Sequence, residues 1–319
     1  MMDYSSSSPT HGESPPGLRL AIVGPGALGT LFAVRLALSG ARILLLDYQP
    51  ERAAALNARV LRVIEESGER SVNVSVSADP RMLEEVDAAL VLVKAYRTEE
   101  VGATLAEFLP PSASVLTLQN GLGNVETLQL HLGADRVFGG TVAQGALLLE
   151  PGVVRDTGGG PIIVGRMDGQ ADARLDAICQ ALLLAGFAVS ITRNLPAAIW
   201  QKTILNAAIN PVGALTRLRN GALAEHARSL KLMTAAAREA YQVARAHGID
   251  LDEQDWRARL QTICQSTADN SNSMLQDVLA GRHTEIEAIN GAITRIADDH
   301  QLPTPINRTL WYLVSALEG

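Results

Sequence analysis

Gly24-Pro25-Gly26-Ala27-Leu28-Gly29 lies between the apolar run Leu18–Val23 and a stretch of helical periodicity closed by Gly40, and a second apolar run, ARILLLD, follows. A glycine turn between strand and helix, inside one strand–helix–strand unit, is the arrangement that binds dinucleotides. Gly24 permits the tight turn, Gly26 lets a pyrophosphate approach the backbone, and Gly29 lets the helix pack closely on the strand. Ala27 and Leu28 place their N–H groups at the positive end of the helix dipole, where a phosphate is favoured.

Beyond this unit, apolar segments at Ala88–Val93 and Ser114–Leu118 alternate with amphipathic stretches at Glu51–Glu65 and Glu99–Phe108. That alternation predicts a parallel sheet wrapped by helices, a doubly wound α/β domain of Rossmann type. Gly139–Val164 is glycine-rich with period-two alternation and is expected to form antiparallel strands, followed by a helix at Ala171–Ala185 and a strand at Ala188–Ile191. After Arg193 the pattern is helical almost throughout, with candidates at Ala198–Leu205, Ala222–His247, Asp252–Cys264, Glu285–His300 and Arg308–Leu317. The expected organisation is a disordered Ser/Pro/Gly-rich tail over 1–17, a dinucleotide-binding domain over 18–193 and an all-helical substrate-binding domain over 194–319.

Composition excludes several classes. With 47% hydrophobic and 19% charged residues the chain is not dominated by disorder. The balance of 27 Lys+Arg against 34 Asp+Glu gives a net charge of −7, so no global basic field exists to hold nucleic acid. No apolar run approaches the ~20 residues that span a bilayer, and no secretory signal is visible, so no membrane partner is expected. Cys179 and Cys264 lack the spacing of a zinc site or a disulfide framework, which points to a reducing cytoplasm and to no metal.

Several polar residues stand where chemistry is possible. Asp47 ends the second apolar run, where a carboxylate accepts hydrogen bonds from the adenosine ribose 2′-OH; the alternative is that it caps the helix opening near Pro50. Lys94 follows Ala88–Val93, at the strand end that faces the ligand crevice; it either pairs with a phosphate or carboxylate or is simply solvated. Asn120, in LTLQNGLGN, also stands just past a strand, but Asn-Gly is a turn signal in its own right and the residues alone favour the turn. Lys202, Asn206 and Asn210 recur at i, i+4 and i+8, which places an ammonium and two carboxamides on one helix face. That face is either the helix's wet side or a hydrogen-bonding wall for a small oxygenated ligand. Asn270 and Ser273 in NSNSMLQD, and Glu285 in HTEIEAIN, form further polar stretches for which helix capping is the plain alternative.

Taken in order, GPGALG, VLVKAY, LQNGLGN, WQKTILNAAINP, NSNSMLQD, HTEIEAINGAI and PTPINRTLW resemble the ketopantoate reductase family (2-dehydropantoate 2-reductases), from about Leu18 to the C-terminus. The resemblance implies a Rossmann domain followed by a helical domain, and hydride transfer from NADPH to a 2-keto acid in the making of pantothenate, a coenzyme A precursor. It implies that Gly24, Gly26 and Gly29 bind the pyrophosphate, that Lys94 lies near the cofactor phosphates, and that Asn120 contacts the nicotinamide end. Lys202 matches the catalytic lysine, while Asn206, Asn210, Asn220, Ser273 and Glu285 match positions lining the substrate pocket, with Asn270 close by. A protonated Lys202, supported by Glu285, would then serve as the proton donor.

Two positions depart from the family pattern. Tyr48 stands where NADPH-using members commonly carry an arginine, with Asp47 before it, so NADH is expected to be used as well as NADP(H), and Arg52 in the first turn of the next helix is the residue left to reach a 2′-phosphate. Gln144 stands where some members have histidine, which leaves room for a same-fold reductase of another branched or aromatic 2-keto acid. A non-catalytic dinucleotide sensor is the more distant alternative, and a monomer or homodimer is expected.

Overall fold

The computed structural model describes residues 17–318, so the expected tail lies, apart from Gly17, outside the described residues. The chain forms two compact units. One runs through Gln119 and resumes over Asn124–Leu195; the other comprises Asn120–Gly123 and everything from Pro196 onward.

The first unit contains, in chain order, β1 (Arg19–Val23), α1 (Ala27–Leu38), β2 (Arg42–Leu46), α2 (Pro50–Asn57), β3 (Leu61–Glu65), β4 (Gly68–Val72), β5 (Ser75–Ser77) and β6 (Ala88–Val91). It continues with α3 (Thr98–Phe108), β7 (Ser114–Thr117), α4 (Asn124–Leu132), β8 (Val137–Glu150), β9 (Val153–Gly165), α5 (Ala173–Leu184) and β10 (Val189–Ile191). The sheet order is β4-β3-β9-β8-β7-β6-β1-β2-β5, with β10 also on β9.

Within it β8-β7-β6-β1-β2-β5 are all parallel, the doubly wound order, and the winding reverses between β1 and β6. Register sets Ala21 beside Leu44 on one side and Ala89 on the other. Every residue of β6 and β7 is buried, as expected of parallel strands covered on both faces. Helix α1 packs Leu31, Phe32 and Val34 into this core, where the Phe32 and Phe187 rings stack with centroids 4.4 Å apart.

The amphipathic stretch expected over Glu51–Glu65 does not continue as one helix. Helix α2 stops at Asn57, and Leu61–Glu65 pairs antiparallel with β4. The reason is a change of period: Leu61 and Val63 are fully buried two residues apart, a strand repeat. Strand β9 returns antiparallel to β8, then joins β3 at Val153–Arg155 and β10 at Ile162–Val164. Gln144 bonds Asp156 within this unit, and Asp156 together with Glu65 holds the Arg35 guanidinium.

The second unit is helical: α6 (Leu195–Thr216, its first residue counted with the first unit), α7 (Asn220–Glu225), α8 (Ala227–Ala246), α9 (Trp256–Ser266), α10 (Ser273–Leu279), a π-helical turn (Glu287–Gly291) running into α11 (Ala292–Asp299), and α12 (Pro305–Ser315). Ala222–His247, expected as one helix, is two. His226 is extended and caps α8, its Nδ1 accepting the Ser229 N–H at 3.3 Å. Small residues of α8, Ala236, Ala237 and Ala240, are fully buried and let neighbouring helices approach. Among the described residues no helix is long and apolar enough to cross a membrane. Both cysteines are buried, which pushes the thiols up to about 12 for Cys179 and about 11 for Cys264.

Candidate active site

The glycine turn has the shape its spacing implies. Gly24 has φ +111°, and a Cβ there would come within 2.9 Å of the Val93 backbone nitrogen. A Cβ on Gly29 would fall 1.8 Å from the Gly24 carbonyl oxygen, so this glycine allows α1 to start against the strand end. At Gly26 a Cβ would meet nothing within 4 Å, leaving its backbone face open. Among the described residues no side chain caps α1, so the N–H groups of Ala27, Leu28 and Gly29 remain for an anion. A cradle with an open glycine face and an uncapped helix start fits a dinucleotide pyrophosphate. Lys94, partly buried, follows β6 beside this turn.

Asp47 behaves otherwise than the sequence suggests. Its carboxylate, expected to be open to a ribose hydroxyl, is wholly buried and accepts from Arg52 Nη2 at 2.6 Å and Arg52 Nε at 2.5 Å. It also accepts the N–H of Gln49, the N-cap residue of α2, at 3.0 Å, while no side-chain hydrogen bond caps that helix among the described residues.

In the helical unit four expected residues meet. Asn120 Nδ2 donates to Glu285 Oε2 at 3.0 Å, and Asn206 Nδ2 reaches Asn120 Oδ1 at 3.4 Å. Lys202 lies one turn before Asn206 on α6 and feels the Glu285 charge. Burial lowers its ammonium to about 8, and Glu285 works against that shift. A partly desolvated lysine beside a carboxylate and two carboxamides can give up a proton near neutral pH while the amides fix a polar ligand.

The supports of this cluster follow from local sequence. Pro211 interrupts α6 and has no N–H for the Ala207 carbonyl four residues earlier. Asn290, fully buried on the π-helical turn, donates to that carbonyl at 3.0 Å and also to Asn307 Oδ1 at 3.0 Å. The proline's missing donor is thus supplied from the segment that follows Glu285. On its other side Glu285 is preceded by Thr284, whose N–H donates to Glu318 at 2.8 Å. Glycine Gly121, with φ +91°, lies where a Cβ would come within 2.4 Å of the Ala288 carbonyl, and Leu122 N–H donates to the same oxygen at 2.9 Å. The Asn120 loop therefore packs tightly on the Glu285 segment.

The remaining residues form a second group. Asn210 is buried on α6. Asn220 opens α7, its N–H donating to the Asn270 carbonyl at 3.0 Å and its Nδ2 to Thr267 at 2.9 Å. Its Oδ1 is buried with no hydrogen-bond partner among the described residues. Ser273 is exposed at the first residue of α10, whose cap Asn272 accepts the Leu275 N–H at 3.0 Å. Gly213 on α6 leaves the space that the Asn272 amide fills.

Sequence reading missed Arg97. Its guanidinium carbon lies 3.9 Å from the Tyr48 ring centroid, and that of Arg52 lies 5.0 Å from the same centroid. The signal was present as an arginine three residues after Lys94, but its meeting with Tyr48 comes from the β1–β6 adjacency. Asn290 was missed as well, since an asparagine in a helical pattern carries no mark of its acceptor.

Comparison with known proteins gives the family. The ketopantoate reductase PanE/ApbA family model matches residues 20–169, and the corresponding C-terminal model matches residues 194–318. A 2-dehydropantoate 2-reductase of Halobacterium salinarum is 37% identical over 298 residues, covering 93% of this chain and 98% of the relative. The crystal structure of a PanE/ApbA family ketopantoate reductase from Ralstonia eutropha superposes with a TM-score of 0.86 at 32% identity, covering 94% of this chain and 98% of that one. A 2-dehydropantoate 2-reductase from Geobacter metallireducens gives a TM-score of 0.87 at 27% identity, with 94% and 99% covered. With both halves matched in order and relatives aligned over nearly their full length, the chain belongs to the ketopantoate reductase family.

Proposed function

We propose that this protein reduces 2-dehydropantoate to pantoate as a cytoplasmic step of pantothenate synthesis, with a reduced nicotinamide dinucleotide. Gly24, Gly26, Ala27, Leu28, Gly29 and Lys94 would hold the dinucleotide, which when bound supplies the hydride for C2 of the keto acid. Lys202 gives a proton to the carbonyl oxygen as negative charge develops there. Glu285 keeps that lysine protonated, and Asn120 fixes the carboxylate through the 3.0 Å bond. Asn206, Asn210, Asn220, Asn270 and Ser273 orient the substrate's hydroxyl and carboxylate.

The observation that carries this reading is Lys202, lowered to about 8, in one cluster with Glu285, Asn120 and Asn206. A non-catalytic sensor has no use for a lysine tuned in this way. The test is growth of a bacterial strain lacking its own 2-dehydropantoate 2-reductase on medium without pantothenate. The wild-type gene restores growth and the Lys202→Ala gene does not; failure of the soluble, expressed wild-type protein to restore growth contradicts the reading.

A further inference from the structure

We infer that Arg97 and Arg52, gathered around Tyr48, recognise the 2′-phosphate of NADPH, and that Asp47 does not exclude this phosphate because Arg52 already neutralises it. The inference rests on the glycine turn being a dinucleotide site. An aspartate at the end of the second strand disfavours a 2′-phosphate only when its oxygens face the ribose. Here the Asp47 side chain has no exposure, and both oxygens are bonded to Arg52, one also to the Gln49 N–H. The carboxylate has become the anchor of an arginine.

Position supports the assignment. Gly24 N–H donates to the Leu46 carbonyl at 3.0 Å, which puts Asp47 and Tyr48 directly beside the glycine turn. The close approach of Gly24 to Val93 puts the end of β6, and the turn Ala95–Arg97 after it, on the turn's other side. The two arginines thus come from the two strand ends that border the switch point.

Their guanidinium carbons lie 3.9 and 5.0 Å from one ring centroid, so both cations border the same tyrosine beside the glycine turn, and guanidinium is the group suited to a phosphate. Arg97 is only lightly engaged: its Nη2 donates to the exposed Glu100 at 2.8 Å, a pair that solvent weakens, and its buried Nε has no hydrogen-bond partner among the described residues. Tyr48 is about half exposed, 47%, and its ring holds the two guanidiniums by cation–π contact. The arginine that a strand end ordinarily supplies is replaced by two arginines organised by a tyrosine.

The test is direct binding of NADPH and NADH by nicotinamide fluorescence to the wild-type protein, Arg97→Gln and Arg52→Gln, with adenosine 2′,5′-bisphosphate and AMP as competing probes. The expected result is tighter binding of NADPH than of NADH by the wild type. Each variant raises the NADPH Kd about 10-fold or more and changes the NADH Kd less than about 3-fold. The retained NADH affinity reports that the fold survives, which matters for Arg52→Gln because it uncovers Asp47. The bisphosphate should compete better than AMP with the wild type and lose that advantage in Arg97→Gln. An unchanged NADPH to NADH ratio in both variants overturns the inference and leaves the reductase reading intact. A wild-type protein that binds neither nucleotide overturns both.

Discussion

Lys202 must carry a proton to donate one, and its burial works against that charge, so the reaction acquires a pH limb that an exposed lysine would place far higher. With the ammonium at about 8, kcat/KM for keto acid reduction should fall as pH rises through about 8, while kcat/KM for the reverse oxidation, which needs the neutral amine, should rise over the same range. Glu285 raises the Lys202 value, so Glu285→Gln should move the limb to lower pH as well as slow turnover. A pH–rate profile in which the variant's limb stays with the wild type's would remove Glu285 from this role. At this scale Lys202, Asn206 and Asn210 were legible because a helix repeat aligns them. Glu285 stood out in the sequence only as part of a polar stretch, and family resemblance gave it a role, since its contact with Asn120 spans 165 residues of chain. That Arg52 holds the Asp47 carboxylate could not be read from residue type.

At the scale of elements, two glycines of one turn should fail in different ways. Gly26→Ala meets no atom and should leave stability near wild type while weakening nucleotide binding, because the methyl group occupies the open face of the cradle. Gly29→Ala places a Cβ 1.8 Å from the Gly24 carbonyl and should lower thermal stability and binding together. Equal Tm losses in both would contradict the division of roles. Helix α6 offers a parallel case. Asn290→Ala leaves the Ala207 carbonyl beside Pro211 without its donor and should cost about 2 kcal/mol or more in denaturant unfolding. The parallel strands and α1 were readable from apolar runs. The β3–β4 hairpin was not, because its alternation is short and lies in charged sequence that also suits a helix.

At the scale of the whole molecule the chain is two units whose division does not follow sequence order. Residues Asn120–Gly123 are reached from β7 yet belong with the helices, and this puts Asn120 in one cluster with Lys202 and Glu285. A linear reading assigns those four residues to the dinucleotide domain; only the fit of Gly121 and Leu122 against the Ala288 carbonyl shows where they pack. The most direct measurement is steady-state reduction of 2-dehydropantoate with NADPH by the purified wild-type protein and Lys202→Ala, with NADPH affinity determined for both. The account predicts turnover by the wild type and a kcat lower by ~10²-fold or more in the variant, with nucleotide Kd nearly unchanged. A variant with near wild-type kcat, or a wild-type protein that reduces other 2-keto acids and leaves 2-dehydropantoate untouched, would contradict it.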